Sequence, residues 1–165
     1  MNISSITRAA HDVLHLIDQY QLGSAKRREL GVDAMILGYF QAKFGNMKRQ
    51  FHLHIGKGSR PSRIDFRRGG TNPVMIEFAC RLPNGVAELY GSQNRPELNK
   101  LTRIPQEKAR TRVLLLLDQS ANPIGKARLK ATYDEVRSGR GKFKRHAVRV
   151  IYVHRTVQYH FIWKP

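Results

Sequence analysis

Residues 112–117 read RVLLLL, and this short run decides the fold. From Val113 to Leu117, five consecutive apolar side chains leave no polar face. A strand with one solvated face alternates apolar and polar residues, whereas a strand buried on both faces is apolar throughout. The run therefore predicts a central strand in an α/β fold, with a mixed β-sheet flanked by helices.

Three predicted strands precede this run. Residues 50–55 and 63–68 alternate between apolar and polar side chains, and residues 74–82 form a mostly apolar strand. Turns rich in glycine and proline separate them, which favours an antiparallel meander. A short helix near Pro96 then leads into the central strand, which we expect to join through a crossover.

The remaining segments complete the order α-α-β-β-β-α-β-α-β-β. Residues 124–136 predict a helix, and residues 148–163 predict two strands joined as a C-terminal β-hairpin. We expect one domain over residues 1–165, in keeping with its length. Within it, a helical N-terminal part covers about 4–44 and a mixed-sheet core covers about 49–163.

The charge of the chain indicates its class of partner. There are 30 Lys and Arg residues against 12 Asp and Glu residues, which gives a net charge of +18. Such a charge opposes compaction by self-repulsion, and a polyanionic partner explains it best. Nucleic acid is the commonest polyanion, because basic side chains release counterions from phosphates. An anionic membrane surface and an acidic protein are the alternatives.

Several other classes are not expected. No apolar run approaches the roughly 20 residues of a membrane-spanning helix, so we expect no membrane partner. The first ten residues lack the layout of a signal peptide. Cys80 is the only cysteine, which excludes an intramolecular disulfide framework. Together these features predict a cytoplasmic protein in a reducing compartment.

Two acidic residues on neighbouring strands are the candidate catalytic residues. Asp65 is the only acid between residues 34 and 76, and Glu77 interrupts an apolar run. A carboxylate in such a run is costly to bury unless it is paired or binds a cation. A hairpin can place the two acids side by side, where a hard divalent cation would relieve their repulsion. Ion pairs with Arg63 or Arg67 are the alternative.

The order of elements resembles the PD-(D/E)xK nucleases, the restriction-endonuclease-like superfamily. The matching text is RIDFRRGG at 63–70 followed by NPVMIEFA at 72–79, and the resemblance in layout covers about residues 26–153. It implies a restriction-endonuclease-like core that binds nucleic acid, DNA rather than RNA, and a Mg²⁺-dependent endonuclease activity. No other cofactor is expected.

The resemblance also implies roles for individual residues. Asp65 and Glu77 match the two acids that bind Mg²⁺, and Glu29 matches an acid carried by a preceding helix. The lysine that positions or activates the attacking water is replaced by Ala79. Lys100, on the following helix, or Arg81 is the candidate substitute. If neither supplies the cation, the chain is an inactive DNA-binding or regulatory subunit of a larger nucleoprotein complex.

Basic residues concentrate in two stretches that we expect to flank the acidic pair as a nucleic-acid channel. Residues 43–68 hold eight of them and residues 126–149 hold nine, partly in a glycine-containing loop. Glycine lets backbone N–H groups approach phosphates closely. The predicted nucleic-acid-binding residues are Arg63, Arg67, Arg68, Lys126, Lys130, Arg140, Lys142, Lys144 and Arg145.

Two pairs of histidines have spacings that can bind a transition metal. His11 and His15 are four residues apart on a predicted helix, and His52 and His54 are two apart on a predicted strand. Neither pair has a third ligand at a convincing spacing. We therefore expect ordinary surface or core histidines.

Overall fold

The computed structural model describes residues 1–19, 28–54, 61–81, 83, 89–137 and 145–165, with side chains from residue 34 onward in the second of these ranges. The helices are α1 (Ile3–Gln19), α2 (Arg28–Phe44), α3 (Arg95–Arg103) and α4 (Lys126–Asp134). The strands are β1 (Met47–Leu53), β2 (Ser62–Arg68), β3 (Val74–Arg81), β4 (Thr111–Asp118), β5 (Val148–His154) and β6 (Gln158–Trp163). The predicted order of elements is confirmed.

All six strands form one mixed sheet in the order β1-β2-β3-β4-β5-β6. The first three are antiparallel, as are β5 and β6, whereas β4 is parallel to both of its neighbours. The predicted α/β class, mixed sheet and C-terminal hairpin are therefore confirmed. No helix in the described ranges is long and apolar enough to cross a membrane.

Helices cover both faces of the sheet and create two apolar cores. The first core lies under α1 and α2 and receives Leu115 and Leu117 from β4. The second core lies under α3 and α4 and receives Leu114 and Leu116. Side chains of β4 alternate between the two cores, so the strand is buried on both faces, as the apolar run predicts.

β1 begins earlier than the alternating pattern predicts. It starts at Met47 rather than near residue 50, and Met47 packs in the first core whereas Leu53 packs in the second. In a regular strand these two side chains would share a face, because alternate residues do. Gln50 lies between them with a left-handed backbone, φ +51°. After this break the side chains of β1 point to the opposite face of the sheet. The first residues of β1 therefore do not fit the alternating pattern that predicts the rest of the strand.

Candidate metal and nucleic-acid site

β2 and β3 separate in the middle of the sheet, next to the predicted acidic pair. Their paired residues run from Arg68–Val74 to Phe66–Ile76 and stop there. Asp65 is the next residue of β2 beyond the last pair. Its Oδ2 accepts a hydrogen bond of 3.0 Å from the backbone N–H of Phe78 on β3. The Asp65 carboxylate thus takes the place of a backbone acceptor, and this bond fixes it against β3.

The backbone around Asp65 changes face as β1 does. Gln50 lies opposite Asp65, between the register pairs Arg49–Phe66 and Phe51–Ile64. On β2, Ile64 packs in the second core and Phe66 packs in the first, although they are two residues apart. Backbone strain of this kind collects at functional sites. At this site the left-handed backbone of Gln50 lies opposite Asp65, where β2 and β3 separate.

Glu77 is buried on β3 and faces α3. Only 1% of its surface is exposed, and Met75, two residues earlier on the same face, packs in the second core. Lys100 on α3 brings its Nζ to 2.7 Å from Glu77 Oε1, and the same Nζ donates to the backbone oxygen of Arg63 over 2.9 Å. The Lys100 ammonium therefore bridges the gap between β2 and β3.

The carboxyl group of Glu77 is short of hydrogen-bond donors. The contact with Lys100 is within ion-pair distance but lacks hydrogen-bond geometry, and Oε1 accepts no hydrogen bond from the described residues. Burial and, second, the negative charge of Asp65 raise the pKa of Glu77 to about 9, against the opposing effect of Lys100. At neutral pH the Glu77 carboxyl therefore holds a proton.

These properties fit a hard divalent cation. Two carboxyl groups lie beside each other, and one of them has a buried oxygen without a donor. Carboxylate oxygens are the ligands that Mg²⁺ prefers, and Mg²⁺ is bound through one or two carboxylates with several waters. No group of three or more His, Cys, Asp and Glu side chains gathers around one point in the described part of the chain. Asp65 and Glu77 are thus the two candidate ligands that the structure brings together.

The other predicted members of the acidic site are placed differently. The backbone of Glu29 lies in α2, but its side chain is outside the described residues. Ala79 packs at the second core, on the face that Glu77 shares. Among the described side chains, neither Arg63 nor Arg67 forms an ion pair with Asp65. The alternative in which these two arginines neutralise Asp65 is therefore wrong.

Arg81, the other candidate for the missing lysine, lies in a separate network. Its Nε donates to Asp118 Oδ1 over 2.8 Å, and its Nη2 donates to Ser120 Oγ and to the backbone oxygen of Asn122. The hydroxyl of Tyr152 also donates to Asp118. Burial opposes ionisation of Asp118, but these donors hold its pKa below the usual range.

This network was not predicted, although the sequence contains one signal for it. Asp118 ends the apolar run of β4, where a polar side chain at the end of a buried strand needs a partner. Parallel pairing puts Arg81 directly opposite Asp118. Arg81 is thus engaged at the ends of β3 and β4, and Lys100 is the cation beside Glu77.

Several basic residues lie on β2, the strand that carries Asp65, and on its neighbour β1. Arg63, Arg67 and Arg68 lie on β2 with Asp65, and Lys48 stands directly opposite Arg67. Like charges in directly opposed positions destabilise a sheet. Arg67 lies over the ring of Phe51, 4.5 Å from its centroid, so its guanidinium is held in place without a carboxylate.

The described part of the second basic stretch, residues 126–149, lies mainly on α4 and β5. Lys126 and Lys130 are exposed on α4, which packs against β6 through the bond from Trp163 Nε1 to Tyr133 O. Four strand spacings, about 19 Å, separate β6 from β2. These lysines therefore lie outside the immediate surroundings of Asp65, and a nucleic-acid channel that includes them would have to span this distance. Arg145 precedes β5, and Arg140, Lys142 and Lys144 lie outside the described residues.

The chain matches no family model, no curated protein and no solved structure. The functional evidence therefore lies in the residues that the fold brings together. These are Asp65 on β2, Glu77 on β3 and Lys100 on α3, with the arginines of β2 beside them.

Proposed function

We propose that this chain is a Mg²⁺-dependent nucleic-acid phosphodiesterase with a restriction-endonuclease-like core. One observation carries the proposal. Lys100, from outside the motif, places its ammonium 2.7 Å from Glu77 Oε1, in the gap where Asp65 is bonded to β3. The cation that the motif lacks at Ala79 is thus supplied from α3.

The arrangement gives each residue a role in phosphodiester hydrolysis. Mg²⁺, when bound to Asp65 and Glu77, would polarise a phosphate oxygen and lower the pKa of a bound water. A lysine ammonium has three N–H donors. At Lys100 one donates to Arg63 O, and the ammonium lies within ion-pair distance of Glu77, which leaves its other N–H donors for a water or a phosphate oxygen. Lys100 can therefore position the nucleophile or offset the charge that develops on the phosphate.

Nucleic acid is the proposed substrate because of the charge around this site. The net charge of +18 and the opposed pair Lys48–Arg67 both favour a polyanion over a neutral substrate. Phosphates would relieve the repulsion between these like charges. DNA is proposed over RNA on the resemblance alone.

Cleavage assays test the enzymatic part of the proposal. Plasmid, linear duplex and single-stranded substrates are incubated with the chain in Mg²⁺ or Mn²⁺. We expect cleavage by the wild type, none by Lys100→Ala, and retained cleavage by the control Lys108→Ala, whose lysine is exposed and lies outside both basic stretches. Lys100→Ala should still bind Mn²⁺. If the wild type cuts none of these substrates, the remaining function is that of an inactive nucleic-acid-binding subunit.

The salt dependence of binding tests the nucleic-acid part separately. If about six phosphates are neutralised, affinity should fall on the order of a thousandfold between 50 and 200 mM salt. Replacing Arg67 with Ala should lower the slope of log affinity against log salt by about one, as loss of one phosphate contact does. Lys108→Ala, which removes an exposed lysine outside both basic stretches, is the control. A flat salt response would exclude a polyanionic ligand.

A further inference from the structure

Two histidines of α1 meet a carbonyl oxygen from the opposite end of the chain. His11 and His15 are one helical turn apart, and their Nε2 atoms lie 3.1 Å from each other. Their rings are nearly perpendicular, with 77° between the planes. His11 Nε2 also lies 3.1 Å from the backbone oxygen of Arg155, in the turn between β5 and β6. Two further potential ligand atoms therefore lie 3.1 Å from His11 Nε2.

Protons alone satisfy this group poorly. The Arg155 carbonyl can only accept, so His11 Nε2 must carry the hydrogen if it bonds there. That same hydrogen must then be shared with His15 Nε2, because His11 Nε2 has no lone pair left to accept from it. A cation between the nitrogens would engage the lone pairs of both rings and of the carbonyl together.

The spacing of the nitrogens suits one metal ion. Zinc–imidazole bonds are about 2.0–2.1 Å long, so two nitrogens 3.1 Å apart would subtend roughly 100° at a shared zinc. That angle lies between those of tetrahedral and octahedral coordination. A cavity of about 470 Å³, lined by His11 together with Thr7, Arg8, Gln158 and His160, lies beside the group and leaves room for water at further coordination positions.

We propose that His11, His15 and the Arg155 carbonyl form a site for a divalent cation that prefers nitrogen ligands, such as Zn²⁺. The site differs in chemistry from the acidic pair, because imidazole favours Zn²⁺, Ni²⁺ and Cu²⁺ whereas carboxylates favour Mg²⁺. It would fasten α1 to the turn between β5 and β6, two segments 144 residues apart. It is independent of the proposed nuclease activity.

Zinc titration of the untagged full chain tests the site. The background is Asp65→Asn, which disables the acidic pair, so that failure of one site is not read as failure of the other. Calorimetry should show one Zn²⁺ per chain. We expect His11→Gln and His15→Gln each to weaken binding by more than about tenfold, since even outer-shell substitutions at metal sites have effects of 10–100-fold. The control His52→Gln, on β1, should bind as the parent does.

A spectroscopic measurement keeps the test independent of how the variants fold. One equivalent of Cu²⁺ added to the parent chain should give an electron paramagnetic resonance spectrum with couplings from two nitrogens. Folded single variants should show one. Absence of Zn²⁺ binding, unchanged binding in both variants, or a Cu²⁺ spectrum without nitrogen couplings would each overturn the proposal.

Discussion

Glu77 and Asp118 are two buried carboxyl groups on neighbouring parallel strands, each 1% exposed and each beside a cation. Asp118 receives donors from Arg81, Tyr152 and Ser120, and its pKa is lowered. Glu77 has an oxygen without a donor, and burial raises its pKa to about 9. Equal burial thus produces opposite preferences for the proton.

The difference lies in the number of donors and in the negative charge of Asp65 beside Glu77, rather than in the presence of a cation. A buried charge is stable when its lone pairs are satisfied, and otherwise the group takes up a proton. Asp118 is therefore part of a complete structural network that locks the ends of β3 and β4. Glu77 is incomplete, and its proton holds a position that a metal ion could take. Perturbed carboxyl groups of this second kind mark candidate functional sites.

The largest effect should come from breaking the complete network. Asp118→Ala leaves the mostly buried Arg81 guanidinium and the Tyr152 hydroxyl without their acceptor. Removing one partner of a buried pair costs about 3–5 kcal/mol, which urea unfolding would measure. The control is Asp134→Ala, whose exposed pair with Lys130 should be worth about 0.3–0.5 kcal/mol. Similar losses from both substitutions would contradict the assignment of Asp118 as a structural lock.

A smaller effect on stability should come from binding Mn²⁺ at the site formed by Asp65 and Glu77. At a free Mn²⁺ concentration 100 times its Kd, mass action should add about 2.7 kcal/mol to the free energy of unfolding. For a chain of this length that corresponds to a rise in Tm of roughly 5–10 °C. Binding should also release a proton, because Glu77 must ionise.

Asp65→Asn should remove that response to Mn²⁺. It should leave DNA affinity equal or higher, because it deletes a negative charge beside the arginines of β2. Asp134→Asn is the control, since its carboxylate belongs to the exposed pair on α4. A rise in Tm that persists in Asp65→Asn would place the metal elsewhere.

The sequence predicts the fold better than the site, for a physical reason. The order of elements follows from local apolar patterns, which the five residues 113–117 illustrate. By contrast, Lys100 and Arg81 are equal candidates in the sequence, because the choice depends on which face of α3 meets β3. The choice also depends on Asp118, which binds the Arg81 guanidinium although it lies 37 residues away in the sequence. The left-handed backbone of Gln50 is equally hidden, since glutamine carries no preference for that conformation.

The smallest effect, at acidic pH, should come from Glu77→Gln, and the pH dependence of this variant sharpens the contrast with Asp118. The folded chain holds the Glu77 proton up to about pH 9, whereas the unfolded chain releases it near 4.5. Between these values the unfolded state binds fewer protons, so the free energy of unfolding falls as the pH rises. For Asp118, whose pKa is lowered, stability is lost instead as the pH falls below its usual value of 3.8.

Glutamine imitates the protonated side chain, so below about pH 4.5, where Glu77 is protonated in both states, the variant should differ from the wild type by less than about 1 kcal/mol, the net value of one hydrogen bond. As the pH rises from about 4.5 to about 9, the unfolded wild type releases its proton while the folded chain keeps it, so the variant should become the more stable of the two by about 1.4 kcal/mol per pH unit, and the difference should level off above that range. Urea unfolding of both proteins across this range, without divalent cations, measures the difference directly, because titrations common to both cancel. Parallel curves would mean that Glu77 is already ionised at neutral pH. The contrast between the two carboxyl groups would then lose its physical basis.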